Sequence, residues 1–158
     1  MKASEVPSGP LLIDTDVFSY LLARDGKGAP FRPLITGHAL ALAFATVGEL
    51  RAGAIRNRWG AQSRTHLETA MRQCVVLVAD DAITQQYAEL HAHPQVGGQL
   101  RGAPARHHND MWIASCSLAR PEHPPVVTNN LVDYQLIAMH FPLRLVHPAL
   151  NRGDPGWP

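Results

Sequence analysis

The sequence predicts an α/β protein, a three-layer α/β/α sandwich around a five-stranded parallel sheet. Three observations predict it. Five short apolar runs, at 11–13, 39–45, 74–78, 125–128 and 143–146, read as strands. Helical patterns separate them throughout, which is the rhythm of a parallel sheet with helical crossovers. The runs are apolar at consecutive rather than alternate positions, as in strands buried on both faces.

The first run, Leu11-Leu12-Ile13, ends at Asp14 and feeds a helix whose Phe18, Leu21 and Leu22 share one face. A looser Gly- and Pro-rich stretch spans 24–37, with a short helix at 30–35 stopped by Gly37. The second strand ends at Thr46, where Thr46-Val47-Gly48-Glu49 has capping-box spacing and opens a helix to about Arg56. A helix follows over 62–72, then the third strand, then a helix over 82–92 opened by Asp80-Asp81. Residues 93–108 read as an exposed loop or broken helix. Asn109-Asp110 cap a helix over 111–119, and a last helix covers 133–140 between the fourth and fifth strands. One domain therefore occupies 1–147, and the aperiodic tail 148–158 is expected to be poorly ordered.

Composition narrows the function. Net charge is +1, so no global field points to a nucleic-acid partner. Lys2 and Lys27 are the only lysines; the other positive charges are arginines, suited to planar contacts with phosphate or carboxylate. Cys74 and Cys116 lie in apolar segments without metal-ligand spacing and read as free thiols of a reducing compartment. No run approaches membrane-spanning length and the first residues lack a signal-peptide core, so a cytoplasmic protein without membrane contact is expected.

Four acids fall at strand ends or helix starts: Asp14, Glu49, Asp110 and Asp133. Singly, each is explained as a cap or a first-turn residue. Asp14 is hardest to explain so, because it is tied to a buried strand. Jointly, four carboxylates at one sheet edge repel, by roughly 4 kcal/mol per pair near 4 Å at an effective dielectric of about 20. Such a set needs a cation, and oxygen ligands select Mg²⁺ or Mn²⁺, which suits phosphodiester hydrolysis. Asp16 reads as a helix cap.

These residues carry a resemblance. Asp14-Thr15 after an apolar run, Thr46-Val47-x-Glu49-Leu50-x-x-Gly53, Asn109-Asp110-x-x-Ile113-Ala114 and Val127-Thr128-x-Asn130-x-x-Asp133-Tyr134 follow in order along almost the whole chain. The sequence resembles PIN-domain ribonucleases, specifically VapC-type toxins of toxin–antitoxin pairs. The resemblance implies a PIN-like fold and a metal-binding and catalytic quartet of Asp14, Glu49, Asp110 and Asp133. It implies that three carboxylates hold Mg²⁺ or Mn²⁺, that Glu49 acts through a bound water, and that Thr128 and Asn130 support them. It further implies an RNA substrate, a cognate VapB-type antitoxin and a homodimer. Two positions depart from the family: Asp16 stands where many relatives carry Ser or Asn, and either adds a fifth, supporting carboxylate at the rim or caps the first helix, and Tyr134 stands where the family usually has Phe.

Other readings compete. Asp14-Thr15-Asp16-Val17 also fits a haloacid-dehalogenase-like phosphatase with Asp14 as nucleophile, although the only lysine between the relevant segments is Lys27, in an early loop. A non-catalytic PIN-fold binding module is the second rival. His91, His93, His107 and His108 lack zinc-site spacing. Arg51, Arg56 and Arg58, beside Glu49 in sequence, are either a solvated helical face or a strip for RNA or a partner.

Overall fold

Strand β1 (Leu11–Ile13) is the middle of the sheet, and every other strand is placed relative to it. The computed structural model describes residues 1–23, 26–100 and 106–158, with the backbone alone described at 106–108. Strands β2 (Leu40–Ala43), β3 (Val75–Leu77), β4 (Val126–Val127) and β5 (Leu145–Val146) complete a five-stranded sheet in the order β3-β2-β1-β4-β5. All four pairings are parallel.

Consecutive strand residues divide between two cores, and that division makes the three layers. Leu12, Ala41, Ala43, Val126 and Leu145 pack with residues of α5 (Asp81–Ala92), α6 (Val96–Leu100), α7 (Arg106–Leu118) and α8 (Leu131–Ala138). Leu11, Ile13, Leu42, Val127 and Val146 pack with α1 (Thr15–Leu22), α2 (Arg32–Ile35), α3 (Phe44–Arg56) and α4 (Ala61–Met71). A period of two residues sends alternate side chains to opposite faces, and at β1, β2, β4 and β5 both faces are apolar and covered, whereas Val75 and Val76 of the edge strand β3 stay exposed. The three-layer α/β/α sandwich is therefore the fold, as the sequence predicts.

The chain runs outward from β1 through β2 to β3, then returns to the other side of β1 for β4 and β5. Right-handed crossovers put the first set of helices on one face and the second set on the other. The direction reverses between β1 and β4, so their carboxyl ends diverge there, as at ligand sites of open α/β sheets. Asp14 and Thr128 follow those two ends directly.

Several boundaries differ from the sequence reading. Helix α3 begins at Phe44 with Ala43 as its N-cap and no side-chain cap. Thr46 is therefore a buried residue inside the first turn and not the start of a capping box. The apolar run 39–45 has no polar residue to mark where strand becomes helix. Helix α7 begins at Arg106, which puts Asp110 inside the helix and not at its cap. The cap of α1 is Asp14 itself, whose side chain accepts from Thr15 N, and Asp16 is an exposed first-turn residue. Asp80 does cap α5, accepting from Ile83 N at 2.9 Å. Parts of two sequence segments, 24–25 and 101–105, lie outside the described residues, as do the side chains of His107 and His108.

The segment 148–158, which has no period, nonetheless touches the body. Leu150 is buried, Gly156 O accepts from Leu145 N at 2.6 Å, and the Met1 ammonium donates to Pro148 O and Leu150 O. Trp157 packs against the core on the α7 side. Cys116 is fully buried and burial pushes its thiol up to about 12, so it is chemically quiet; both cysteines are free. Among the described residues no helix is long and apolar enough to cross a membrane.

Candidate active site

The carboxyl end of β1 delivers Asp14 into the interior with only 4% of its surface exposed. Its backbone N donates to Val127 O at 3.0 Å, which fixes it against β4. Both carboxylate oxygens are engaged: Oδ1 accepts from Thr15 N at 2.6 Å and Oδ2 from the Thr128 hydroxyl at 2.7 Å. Thr128, itself fully buried, accepts in turn from Asn130 N at 2.9 Å. The turn after β4 is thereby pinned, and it aims the Asn130 side chain. Asn130 Nδ2 donates to Asp133 Oδ2 at 2.7 Å and to Asp110 Oδ2 at 3.1 Å. One amide thus bridges two acids from different helices.

Glu49 arrives from α3 and is held by α1. The Thr15 hydroxyl donates to Glu49 Oε2 at 2.5 Å and lies 3.3 Å from Thr46 Oγ1. Among the described residues the hydrogen-bond partners of Asp14, Glu49 and Asp110 are all neutral: hydroxyls, a backbone N–H and an amide. A hydroxyl or amide orients a carboxylate without cancelling its charge.

The electrostatic result is plain at Asp14 and Asp110. Burial first, then Asp16 and Glu49, push the Asp14 carboxyl up from 3.8 to about 7, against the lowering hydrogen bonds from Thr128 and Thr15. Asp110, 8% exposed, is pushed up to about 8 by burial and then by Asp14, Asp133 and Glu49, with Asn130 opposing. Asp110 therefore feels the other three sequence-predicted acids, and Asp14 feels Asp16 and Glu49. Among the described residues, however, no three His, Cys, Asp or Glu side chains stand close enough to form a closed metal-ligand set. The donor chemistry, all oxygen and all acidic, fits a hard divalent cation. Two buried carboxylates with neutral partners fit it as well, since a cation would relieve the raised protonation at both.

A family model of the PIN domain matches residues 11–130. The chain belongs to the PIN domain family. The match runs from the first residue of β1 to Asn130, so it contains Asp14, Glu49, Asp110, Thr128 and Asn130 and stops just before Asp133. No curated protein sequence matches the chain. Among solved structures, this PIN domain is similar to VapBC-1 from nontypeable Haemophilus influenzae, with TM-score 0.69 at 22% identity, covering 89% of this chain and 99% of that one. It is also similar to VapBC2 from Rickettsia felis bound to a promoter DNA fragment, with TM-score 0.65 at 20% identity and coverage of 87% and 97%. A third is FitAcB from Neisseria gonorrhoeae, with TM-score 0.61 at 20% identity and coverage of 87% and 97%. At these identities the likeness shows the fold.

The PIN domain also places the arginines and the rival lysine. Arg51 donates from Nε and from a terminal nitrogen to both oxygens of Glu68, at 2.8 and 2.9 Å, tying α3 to α4. Glu68 raises the Arg51 guanidinium and is itself held below its usual range by that contact. Arg51 is thus already committed to a neighbouring helix. Arg56 is exposed and lies two turns beyond Glu49, about 10 Å along the same face of α3. Arg58 is exposed just past the helix end, with φ at 51°. Lys27 lies with its ammonium 5.6 Å from the centre of the Tyr20 ring.

If Arg56 and Arg58 form a strip for RNA, Arg56→Glu with Arg58→Glu should weaken RNA binding several-fold and flatten its dependence on salt. Each lost phosphate contact removes about one unit of slope in log affinity against log salt. Arg51→Glu should act instead through the α3–α4 contact, lowering the melting temperature slightly, because an exposed ion pair is screened by solvent and contributes little. Filter binding across a salt series measures the first effect and a thermal melt the second. An unchanged slope in the double variant assigns Arg56 and Arg58 to a solvated face.

Three contributors escape the sequence reading of the site. Thr15 and Thr46 stand within the motifs, but their meeting with Glu49 depends on how α1 crosses α3. The third is Tyr134, whose hydroxyl is fully buried beside the acids. Burial and the charges of Asp14, Asp110 and Glu49 hold its proton on well above the usual 10. The departure from Phe at this position is the only sequence signal for it.

Proposed function

We propose that this PIN domain is a Mg²⁺- or Mn²⁺-dependent endoribonuclease acting as the toxin of a type II toxin–antitoxin pair. The single observation that carries it is that Asp110 is pushed up by three other acids at the same sheet edge, next to the buried Asp14, while the hydrogen-bond partners of both among the described residues are neutral. No structural purpose explains that arrangement, since a cap needs one carboxylate and not four. Asp14, Asp110 and Asp133 would hold the cation, with Glu49 acting through a bound water. The cation, when bound, polarises the scissile phosphate and lowers the pKa of water for phosphodiester hydrolysis. Thr128 fixes Asp14, Asn130 spaces Asp110 from Asp133, and Thr15 turns Glu49 toward the others. These contacts orient the acids before any substrate arrives, which is what lowers the reorganisation cost of the reaction.

The toxin half of the proposal is supported by the likeness to VapBC structures and by the surface. A largely apolar cavity of about 950 Å³ lies between α1, α3 and α4, lined by Tyr20, Leu50, Trp59, His66 and Leu67 among others. It contains none of the four acids, so it is a place for a partner segment and not for the scissile phosphate. Ile55, exposed at the end of α3, extends that apolar character outside the cavity. We assign this surface to a VapB-like antitoxin, and the protein to the cytoplasm and to a homodimer on the same reading.

The test is RNA cleavage by the purified, antitoxin-free protein. Cleavage should require Mg²⁺ or Mn²⁺, stop in EDTA and return when metal is restored. An Asp110→Asn protein prepared identically controls for contaminating nucleases. Cleavage that survives EDTA in wild type but not in that control would overturn the metal mechanism.

A further inference from the structure

The Tyr134 hydroxyl is the only buried side-chain oxygen or nitrogen among the described residues without a hydrogen-bond partner. Its ring is ordinary core, fully buried among Leu12, Met111, Val126 and Ile137 on the α7–α8 face of the sheet. A phenylalanine would fill that space equally well. Only the hydroxyl distinguishes Tyr134, and in this arrangement it satisfies nothing. Buried polar groups are bonded in the great majority of cases, so an exception asks for a missing partner.

The surroundings name that partner. Tyr134 follows Asp133 on α8, and its hydroxyl feels Asp14, Asp110 and Glu49. Asp110 is beside it but outside the geometry of a formed bond, while Asn130 holds Asp110 by Oδ2. A neutral phenol is a poor ligand for Mg²⁺, which takes carboxylates and waters. It is a good donor to a carboxylate that has become a ligand, because outer contacts of this kind fix the ligand's orientation.

We propose that Tyr134 is a positioning residue whose buried hydroxyl donates to Asp110 when a divalent cation occupies the acidic site. This rests on the metal reading above and deepens it. In the metal-free protein the hydroxyl stands next to Asp110 without a fully formed hydrogen bond, and among the described residues it is Asn130 that donates to Asp110. With the cation bound, Asp110 is held from two sides, by Asn130 and by Tyr134. The hydroxyl is then a device for metal affinity and not for folding, and the two roles give opposite signs in a Tyr134→Phe protein.

The experiment compares wild type with Tyr134→Phe in three measurements. The first is a Mn²⁺ titration followed by the electron paramagnetic resonance signal of free Mn²⁺. The second is the melting temperature in EDTA. The third is the tyrosine Raman doublet, a marker of phenol hydrogen bonding, with and without Mg²⁺. Tyr134→Phe should bind Mn²⁺ about tenfold more weakly, the scale of a lost supporting contact. Its melting temperature in EDTA should be equal to or above wild type, because the substitution removes an unbonded buried hydroxyl. The wild-type minus Tyr134→Phe Raman difference should shift toward a donating phenol when Mg²⁺ is added. Equal Mn²⁺ affinity in the two proteins, a Raman difference indifferent to Mg²⁺, or a lower melting temperature with unchanged affinity each overturns the role given to Tyr134 and leaves the metal site standing. A wild type that binds no Mn²⁺ at all removes the metal reading, and this inference with it.

Discussion

Asp14→Asn and Asp110→Asn should each lower metal-dependent RNA cleavage by more than ~100-fold, beyond the loss expected for a residue that merely supports a ligand. Both substitutions keep shape. At Asp14, an asparagine oxygen can still accept from Thr15 N and cap α1, so the helix start survives. At Asp110, an asparagine oxygen can still accept from Asn130. What each variant lacks is the negative charge. Initial rates on a structured RNA at fixed Mg²⁺ measure the loss, and circular dichroism shows that the fold is kept. A variant that folds normally and cleaves within a few-fold of wild type would remove that carboxylate from the reaction.

The second large effect is on stability, and its sign follows from the direction in which the two carboxyls are displaced. Asp14 and Asp110 have folded-state values of about 7 and about 8 against 3.8 in an unperturbed chain. Between those limits the unfolded chain has released protons that the folded chain still holds. Stability therefore falls as pH rises through that window, the reverse of a salt-bridged carboxylate. A folded-state pKa one higher than the unfolded value corresponds to about 1.4 kcal/mol, so the metal-free protein should lose an amount on the order of several kcal/mol between pH 4 and pH 8. Urea melts in EDTA at pH 5 and pH 8 read this directly. A midpoint that is flat or rises with pH would mean that Asp14 and Asp110 ionise as easily folded as unfolded.

Much of this is legible in residues that obey local rules. Leu11-Leu12-Ile13 followed by Asp14 has the composition of a buried strand ending in a polar residue, and the structure places it at the middle of the sheet. Thr128 and Asn130 are readable as companions of the acids from the last motif, and they do contact Asp14, Asp110 and Asp133. Tertiary facts are not legible. The Arg51 side chain is paired across to α4, a contact 17 residues away in sequence that no helix pattern encodes. Asp110 reads as a cap because Arg106, His107 and His108 have no apolar face, yet α7 already runs through them. The segment after 147 shows no period because its contacts are made one residue at a time, by Leu150, Gly156 and Trp157. The idle hydroxyl of Tyr134 is visible only once the burial of its surroundings is known.

The central claim is that the clustered acids await a divalent cation, and one set of melts tests it most directly: wild type and Asp110→Asn at pH 8, each in EDTA and in saturating Mg²⁺. Removing one buried charge relieves repulsion, so Asp110→Asn should melt higher than wild type in EDTA. Metal should then raise wild type, by about 2.7 kcal/mol at a hundred times the dissociation constant, and leave Asp110→Asn nearly unmoved. If Asp110→Asn instead melts below wild type in EDTA, and both respond to Mg²⁺ alike, Asp110 is a structural residue and the acids at this sheet edge do not form a metal site.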